Sequence, residues 1–198
     1  MADSKFDICN KALVLVGANT ISSFTQNTTE SKVANQLYES TLENLLTRCR
    51  WRFASKQAQL SKNTTNPDAR YDSSYALPSD AHIIHTVTVG DDIIKYDRYG
   101  QNLFTNTTSS DTVIADYTFQ PSESIFPPYF KQTLVFELAS LFAGAIARND
   151  QLSELYHKRA IAQMAIAKAT DAQAQTTKTI DLNRFRNVRN HTALSGIR

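Results

Sequence analysis

Apolar residues recur at helical spacing from Ser4 to Ala18, with Phe6, Cys9, Leu13 and Val16 on one stripe and Gly17 placed to end the run. The spacing predicts a first helix there. After the polar loop SSFTQNTTE, Thr29 or Ser31 can cap a second helix, in which Val33, Leu37, Leu42, Leu45 and Cys49 form an apolar stripe. Glu39 and Glu43, four apart, mark its solvated face. Between Arg52 and Phe119 the period shortens: FASKQAQL, YDSSYAL, HIIHTVTV, DIIKYD, NLFT and TVIADYTF read as short strands. NTTNPD, Gly90-Asp91-Asp92 and Tyr99-Gly100 separate them, so several antiparallel hairpins are expected. Pro127 and Pro128 open a third helix, where Leu134, Leu138, Leu141, Phe142 and Ala145 line one face and Val135, Phe136 and Ile146 another. Apolar on more than one side, it should be the most buried helix. A fourth helix begins near Asp150 and runs through QLSELYHKRAIAQMAIAKATDAQAQ, with strong helix propensity and a thin stripe of large residues. It should pack closely on one side and meet water on the other. From about Thr176 the periodicity is lost, and KTIDLNRFRNVRNHTALSGIR reads as an extended tail carrying Lys178, Arg184, Arg186, Arg189 and Arg198 against Asp181 alone.

Two helices, a block of strands and two more helices predict an α+β protein: a four-helix bundle with an inserted antiparallel β domain and an extended basic C-terminal tail. The expected division is helices one and two in residues 1–50, the β domain in 51–125, helices three and four in 126–178, and the tail in 179–198.

Composition narrows the function classes. With 198 residues, 41% hydrophobic and 20% charged, the chain can bury a sizeable core. A net charge of +2 gives no bulk electrostatic reason to bind nucleic acid or a membrane surface. No stretch approaches the roughly 20 apolar residues that span a bilayer, and the start has no basic region followed by a long apolar run, so a cytosolic chain is expected. Cys9 and Cys49 fall in helical stripes and read as buried thiols. With five glycines in the whole chain, neither a phosphate loop nor a dinucleotide fingerprint can be built, and there is no Gly-x-Ser-x-Gly elbow.

His82 and His85 invite a zinc reading, but in an extended strand residues three apart point to opposite faces and cannot converge on one ion. His157 and His191 have no thiolate or carboxylate cluster near them in sequence. Neither a cofactor nor a metal is expected. Asp111, Asp116 and Glu123 flank the last strand and are the residues a two-carboxylate glycan hydrolase would use. Trp51 and Phe53, at alternate positions, should plug the junction of helices and sheet. Tyr96, Tyr99 and Phe104 surround an expected hairpin turn, where they either form an exposed tip for a partner or pack back on the sheet.

These landmarks, in this order, resemble one family, the head-to-tail adaptors of short-tailed bacteriophages often called tail tubular protein A. The matching stretches are ALVLVGANTISSF, the helix ANQLYESTLENLL leading to WRFASKQAQL, YALPSD, and the apolar helix LVFELASLFAGAIA followed by LYHKRAIAQMAIAKATDAQ. Family members often carry Gly or Pro before the Trp, where this chain has Arg50, and Pro near the position of Asn19-Thr20. The resemblance implies a structural virion protein without catalytic residues, assembled in the host cytoplasm and residing in the tail neck. It would form a ring, usually dodecameric, with the portal protein above, the tail nozzle protein below and genomic DNA passing through without sequence-specific binding.

In that setting the tail gains a task. Residues 180–198 would order on the portal, with Phe185 and Val188 as apolar anchors and Arg184, Arg186 and Arg189 paired with acidic portal groups. A merely mobile tail, or one that touches DNA phosphates, is the plainer alternative. Tyr96 and Tyr99 would meet the nozzle, and the fourth helix would form the wall between subunits or launch the tail. Two other classes compete: a virion-associated cell-wall glycan hydrolase using the three carboxylates, and a small DNA-binding protein using the tail, which the near-neutral remainder disfavours.

Overall fold

The computed structural model describes residues 3–65, 70–108 and 111–174. They form a mixed α+β fold of four α-helices and two antiparallel sheets. In chain order these are α1 (Lys5–Val16), α2 (Thr29–Thr47), β1 (Ser55–Gln59), β2 (Ser61–Lys62), β3 (Ser73–Ala76), β4 (Ile83–Val89), β5 (Asp92–Ile93), β6 (Asp97–Tyr99), β7 (Asn102–Thr105), β8 (Val113–Thr118), α3 (Pro128–Ala145) and α4 (Asp150–Gln173), with a short 3-10 turn at Glu123–Ile125.

Local chemistry explains the helix ends. Ser4 caps α1 reciprocally with Asp7: the Asp7 amide donates to the Ser4 hydroxyl at 3.3 Å and the Ser4 amide to the Asp7 carboxylate at 2.9 Å. Gly17, at φ +77°, closes the helix in the left-handed conformation that a side chain would strain. Thr28 caps α2, one residue before the expected Thr29 and three before Ser31, whose amide its hydroxyl accepts at 3.3 Å. The buried stripe of α2 is also rotated from the expected one. Ala34, Tyr38, Leu42, Leu45 and Leu46 fill the core, while Val33, Leu37 and Cys49 are half-buried. The shift centres on Tyr38, whose ring is fully buried while its hydroxyl donates to Glu123 at 3.3 Å.

Helix α3 packs against all three other helices and carries Phe130, Leu134, Leu138 and Phe142 into their shared core. Its buried Glu137 is neutralised by Arg48 from the end of α2. Leu141 and Ala145 do not join that core, contrary to the expected face; Leu141 is 41% exposed. Leu138, Ala139, Phe142 and Ala143 are fully buried at the same level, so the cause is the helix face: Leu141 lies about 100° round the helix from Phe142, on the side away from Ala139 and Ala143.

The first sheet has strand order β1-β8-β4-β5 and the second β2-β3-β7-β6. Leu60, Tyr75, Leu77, Val87, Leu103, Val113 and Ala115, drawn from both sheets and their ends, make a second core. The stretch DIIKYD is not one strand: it contains β5, a short irregular segment and the first residue of β6. Tyr99 belongs to β6, and Gly100-Gln101 makes the turn into β7.

The helices and strands meet at Trp51. Its indole N–H donates to the Leu45 carbonyl at 2.9 Å and its ring stands edge-on to Phe130 at 5.1 Å. Phe53 adds contacts to Phe130 at 4.7 Å and Phe126 at 6.0 Å, so the expected aromatic plug is present. Buried Asp171, near the end of α4, accepts the Arg52 amide at 2.9 Å and the Tyr129 hydroxyl at 2.8 Å, which ties α4 to the start of α3 and to the lead-in of β1. Among the described residues, no helix is long and apolar enough to cross a membrane.

Candidate interaction surfaces

The sequence-proposed polar clusters resolve into separate, locally bonded groups. The register of β4 on β8 shifts between Ile84 and Thr86, leaving His85 at a bulge that aims its Nε2 to 2.7 Å from the Thr118 hydroxyl. His82 is bound through its backbone, its amide donating to the Thr118 carbonyl at 2.9 Å and its own carbonyl accepting from Arg98 at 3.1 Å. Among the described residues, no group of three His, Cys, Asp or Glu side chains could hold a metal ion. Burial, and then the nearby Arg50 guanidinium, lower the His85 pKa against the opposing pull of Asp116.

A pH dependence follows from that shift. The folded state favours neutral His85, whereas the unfolded chain takes up a proton near the ordinary value of about 6.5. Its stabilising contribution is therefore complete above that value and is lost as pH falls toward the lowered folded pKa. As pH falls below about 6.5 the melting temperature of the native chain should fall more steeply than that of His85→Gln. Parallel profiles in a thermal melt series would show that His85 does not titrate in this way.

The three carboxylates each have a different partner. Asp116 pairs with Arg50 at 3.2 Å, Glu123 accepts from Tyr38, and Asp111 accepts the Thr108 amide at 2.8 Å in its own loop. The thiols are poor nucleophiles: burial pushes Cys9 up to about 12 and Cys49 up to about 11.

The aromatic residues of the second sheet divide between inside and outside. Tyr96 is half-buried against the second core and donates its hydroxyl to the Ile84 carbonyl at 3.2 Å. Tyr99 is 53% exposed, edge-on to Phe104 at 5.5 Å, and Tyr71 lies 5.8 Å from the other side of Phe104. Tyr71 also donates its hydroxyl to Asp97. Beside this strip opens a cleft of about 770 Å³ whose lining includes Tyr71, Lys95, Tyr96, Asp97 and Asn106. Tyr71 escaped the sequence reading because its partners lie across the β3–β7 and β6–β7 pairings, which no local pattern announces.

The helical side offers two further surfaces. Helix α4 turns Tyr156, Ala160, Met164 and Ala167 inward, yet its large aliphatic residues Leu155, Ile161 (55% exposed) and Ile166 (58% exposed) point away from the core. As expected, the helix packs on one side and meets water on the other, where these three aliphatic residues stand among charged and small ones. Between α1 and α3 runs a groove of about 550 Å³, where Val14 (61% exposed) and Leu15 border Val135 and the polar margin comprises Asp3, Asp7, Asn10, Lys11 and Gln132. Asp3 is engaged by Lys11 at 2.7 Å and Lys131 at 3.6 Å. Asp7 has no cation within ion-pair distance among the described residues, and neither does Lys168 on α4 have a carboxylate. The run ALVLV held the signal for the groove, since five successive apolar residues exceed what one helical stripe can bury.

Arg184, Phe185, Arg186, Val188 and Arg189 lie outside the described residues. Comparison with models of protein families and with curated proteins finds no match to this chain.

Proposed function

We propose that this chain is a structural virion protein, a head-to-tail adaptor whose ring, a dodecamer, joins the portal to the tail nozzle and forms part of the channel for DNA ejection. In this reading the helices of residues 1–50 and 126–178 make a four-helix bundle, the strands of 51–125 an inserted domain, and 179–198 the portal-docking tail. Assembly takes place in the host cytoplasm. Beyond the sequence resemblance, the observation that supports the reading is the outer face of α4: Leu155, Ile161 and Ile166 stay solvent-facing on a helix whose opposite side is already in the core. Large aliphatic side chains left in solvent on such a helix suit a subunit with neighbours. The exposed Tyr99, backed by Phe104, with Tyr96 at the adjoining cleft, supplies the nozzle contact. The alternative of a glycan hydrolase gains no support from Asp111, Asp116 and Glu123, each held by a different partner.

The tail mechanism has its own test. Replacing Phe185 and Val188 together by Ser should abolish stable docking on the portal ring, because removal of both apolar anchors is multiplied around a symmetric ring. Retained docking in a co-sedimentation assay would eliminate the anchor role.

A further inference from the structure

We infer that the outer face of α4 on one copy seats in the α1/α3 groove of the next, a heterologous contact between two different patches of the same chain. The inference rests on the ring reading and adds the surfaces that would build it. Convex and concave apolar surfaces both occur on this chain: Ile161 and its neighbours project from α4, while Val14, Leu15 and Val135 border the groove. Helix packing ordinarily joins such a ridge to such a groove.

Charge and spacing fix the orientation. Asp7 and Val14 are seven residues apart on α1, and Ile161 and Lys168 are seven apart on α4, so each pair lies on one face two turns apart. Laid antiparallel to α1, the incoming helix sets Ile161 on Val14 and Lys168 on Asp7 at the same time. Neither Asp7 nor Lys168 has an opposite charge at ion-pair distance among the described residues of a single chain, so this register brings complementary charges together beside the apolar contact. The length of the contact is set by the shorter helix: α1 has 12 residues, or ~18 Å, and half the wall of a helix segment of that length is on the order of 300 Å². This contact alone is smaller than the ~800 Å² that each partner contributes to a standard interface, and repetition around a closed ring reinforces it. Pairing of α4 with α4 would leave Val14 and Leu15 uncovered and would close at two copies, whereas contact between unlike patches propagates until a rotation closes the ring.

The test uses the full-length chain carrying Val14→Cys and Ile161→Cys together, in a Cys49→Ser background, assembled on the portal ring and treated with a short bismaleimide. The expected result is a ladder of covalent oligomers, while each single-cysteine variant alone gives almost none. A product that stops at the dimer, formed equally by Ile161→Cys alone, would mean α4-to-α4 pairing and overturn the inference. Rings that assemble without cross-linking would overturn it too, leaving the adaptor reading in place. Failure of the native chain to assemble on the portal would remove both.

Discussion

Ile161→Asp combined with Ile166→Asp abolishes ring assembly and leaves the single chain folded. Both side chains are more than half exposed in the isolated chain, so their replacement should alter its stability by no more than about 0.5 kcal/mol each. In the proposed ring the same positions would become contact, and an unpaired carboxylate buried there would cost several kcal/mol at every interface. At least one of the two should lie under the neighbour in any packing of this helix face, and the loss recurs at each step around the ring. Circular dichroism should therefore show unchanged helix content while light scattering shows only single chains under conditions in which the native protein assembles. Assembly by the double variant would exclude the outer face of α4 as a subunit contact.

Trp51→Ala has the largest expected effect on the fold itself. The indole is fully buried, stands against Phe130 and Phe53, and holds the Leu45 carbonyl near the end of α2. Truncating a core aromatic of this kind costs about 3–5 kcal/mol. That is a large part of the roughly 5–15 kcal/mol that holds most domains together. Trp51 also precedes β1 by only a few residues, so the cavity would open where Asp171 fixes the Arg52 amide and couples α4 to the strands. Denaturant unfolding of Trp51→Ala should show a correspondingly lowered midpoint, with Trp51→Phe in between. A loss below about 1 kcal/mol would mean that the junction does not depend on the indole.

The helices were legible because their signals are local. Ser4 and Asp7 form a cap within one turn, Gly17 stops α1, and Pro127-Pro128 starts α3. Trp51 and Phe53 declared themselves as a plug because two aromatics at alternate positions directly after a helix have few other places to go. What stayed hidden is set by contacts distant in sequence. Periodicity identified an apolar stripe on α4 but could not say that Tyr156, Ala160 and Met164, rather than Leu155, Ile161 and Ile166, would meet the core. Leu141 matched the core face of α3 by spacing, yet the buried arc turns the other way, through Ala139, Phe142 and Ala143, and leaves it exposed. Strands β2 and β6 are too short to display a period of two. The bulge at His85 depends on its register with β8, so the strand alternation expected from sequence gave no warning of it.

The candidate surfaces divide along the same line. Tyr99 could be proposed from its place beside a turn, but its neighbour Tyr71 enters through pairings that join β3, β7 and β6. The unmatched charges Asp7 and Lys168 were equally invisible, because a charge is unmatched only relative to a complete set of spatial neighbours. The run ALVLV did signal that some apolar residues would stay outside, but which of them, Val14 and Leu15, is decided by the α1/α3 pair.

The most direct test of the adaptor role is light scattering on a sizing column, with the full chain and a version ending at Thr179 each run alone and mixed with the portal ring of the same phage. The predicted result is that the full chain adds a stoichiometric ring to the portal and the shortened chain does not. Binding by neither version would contradict the adaptor role.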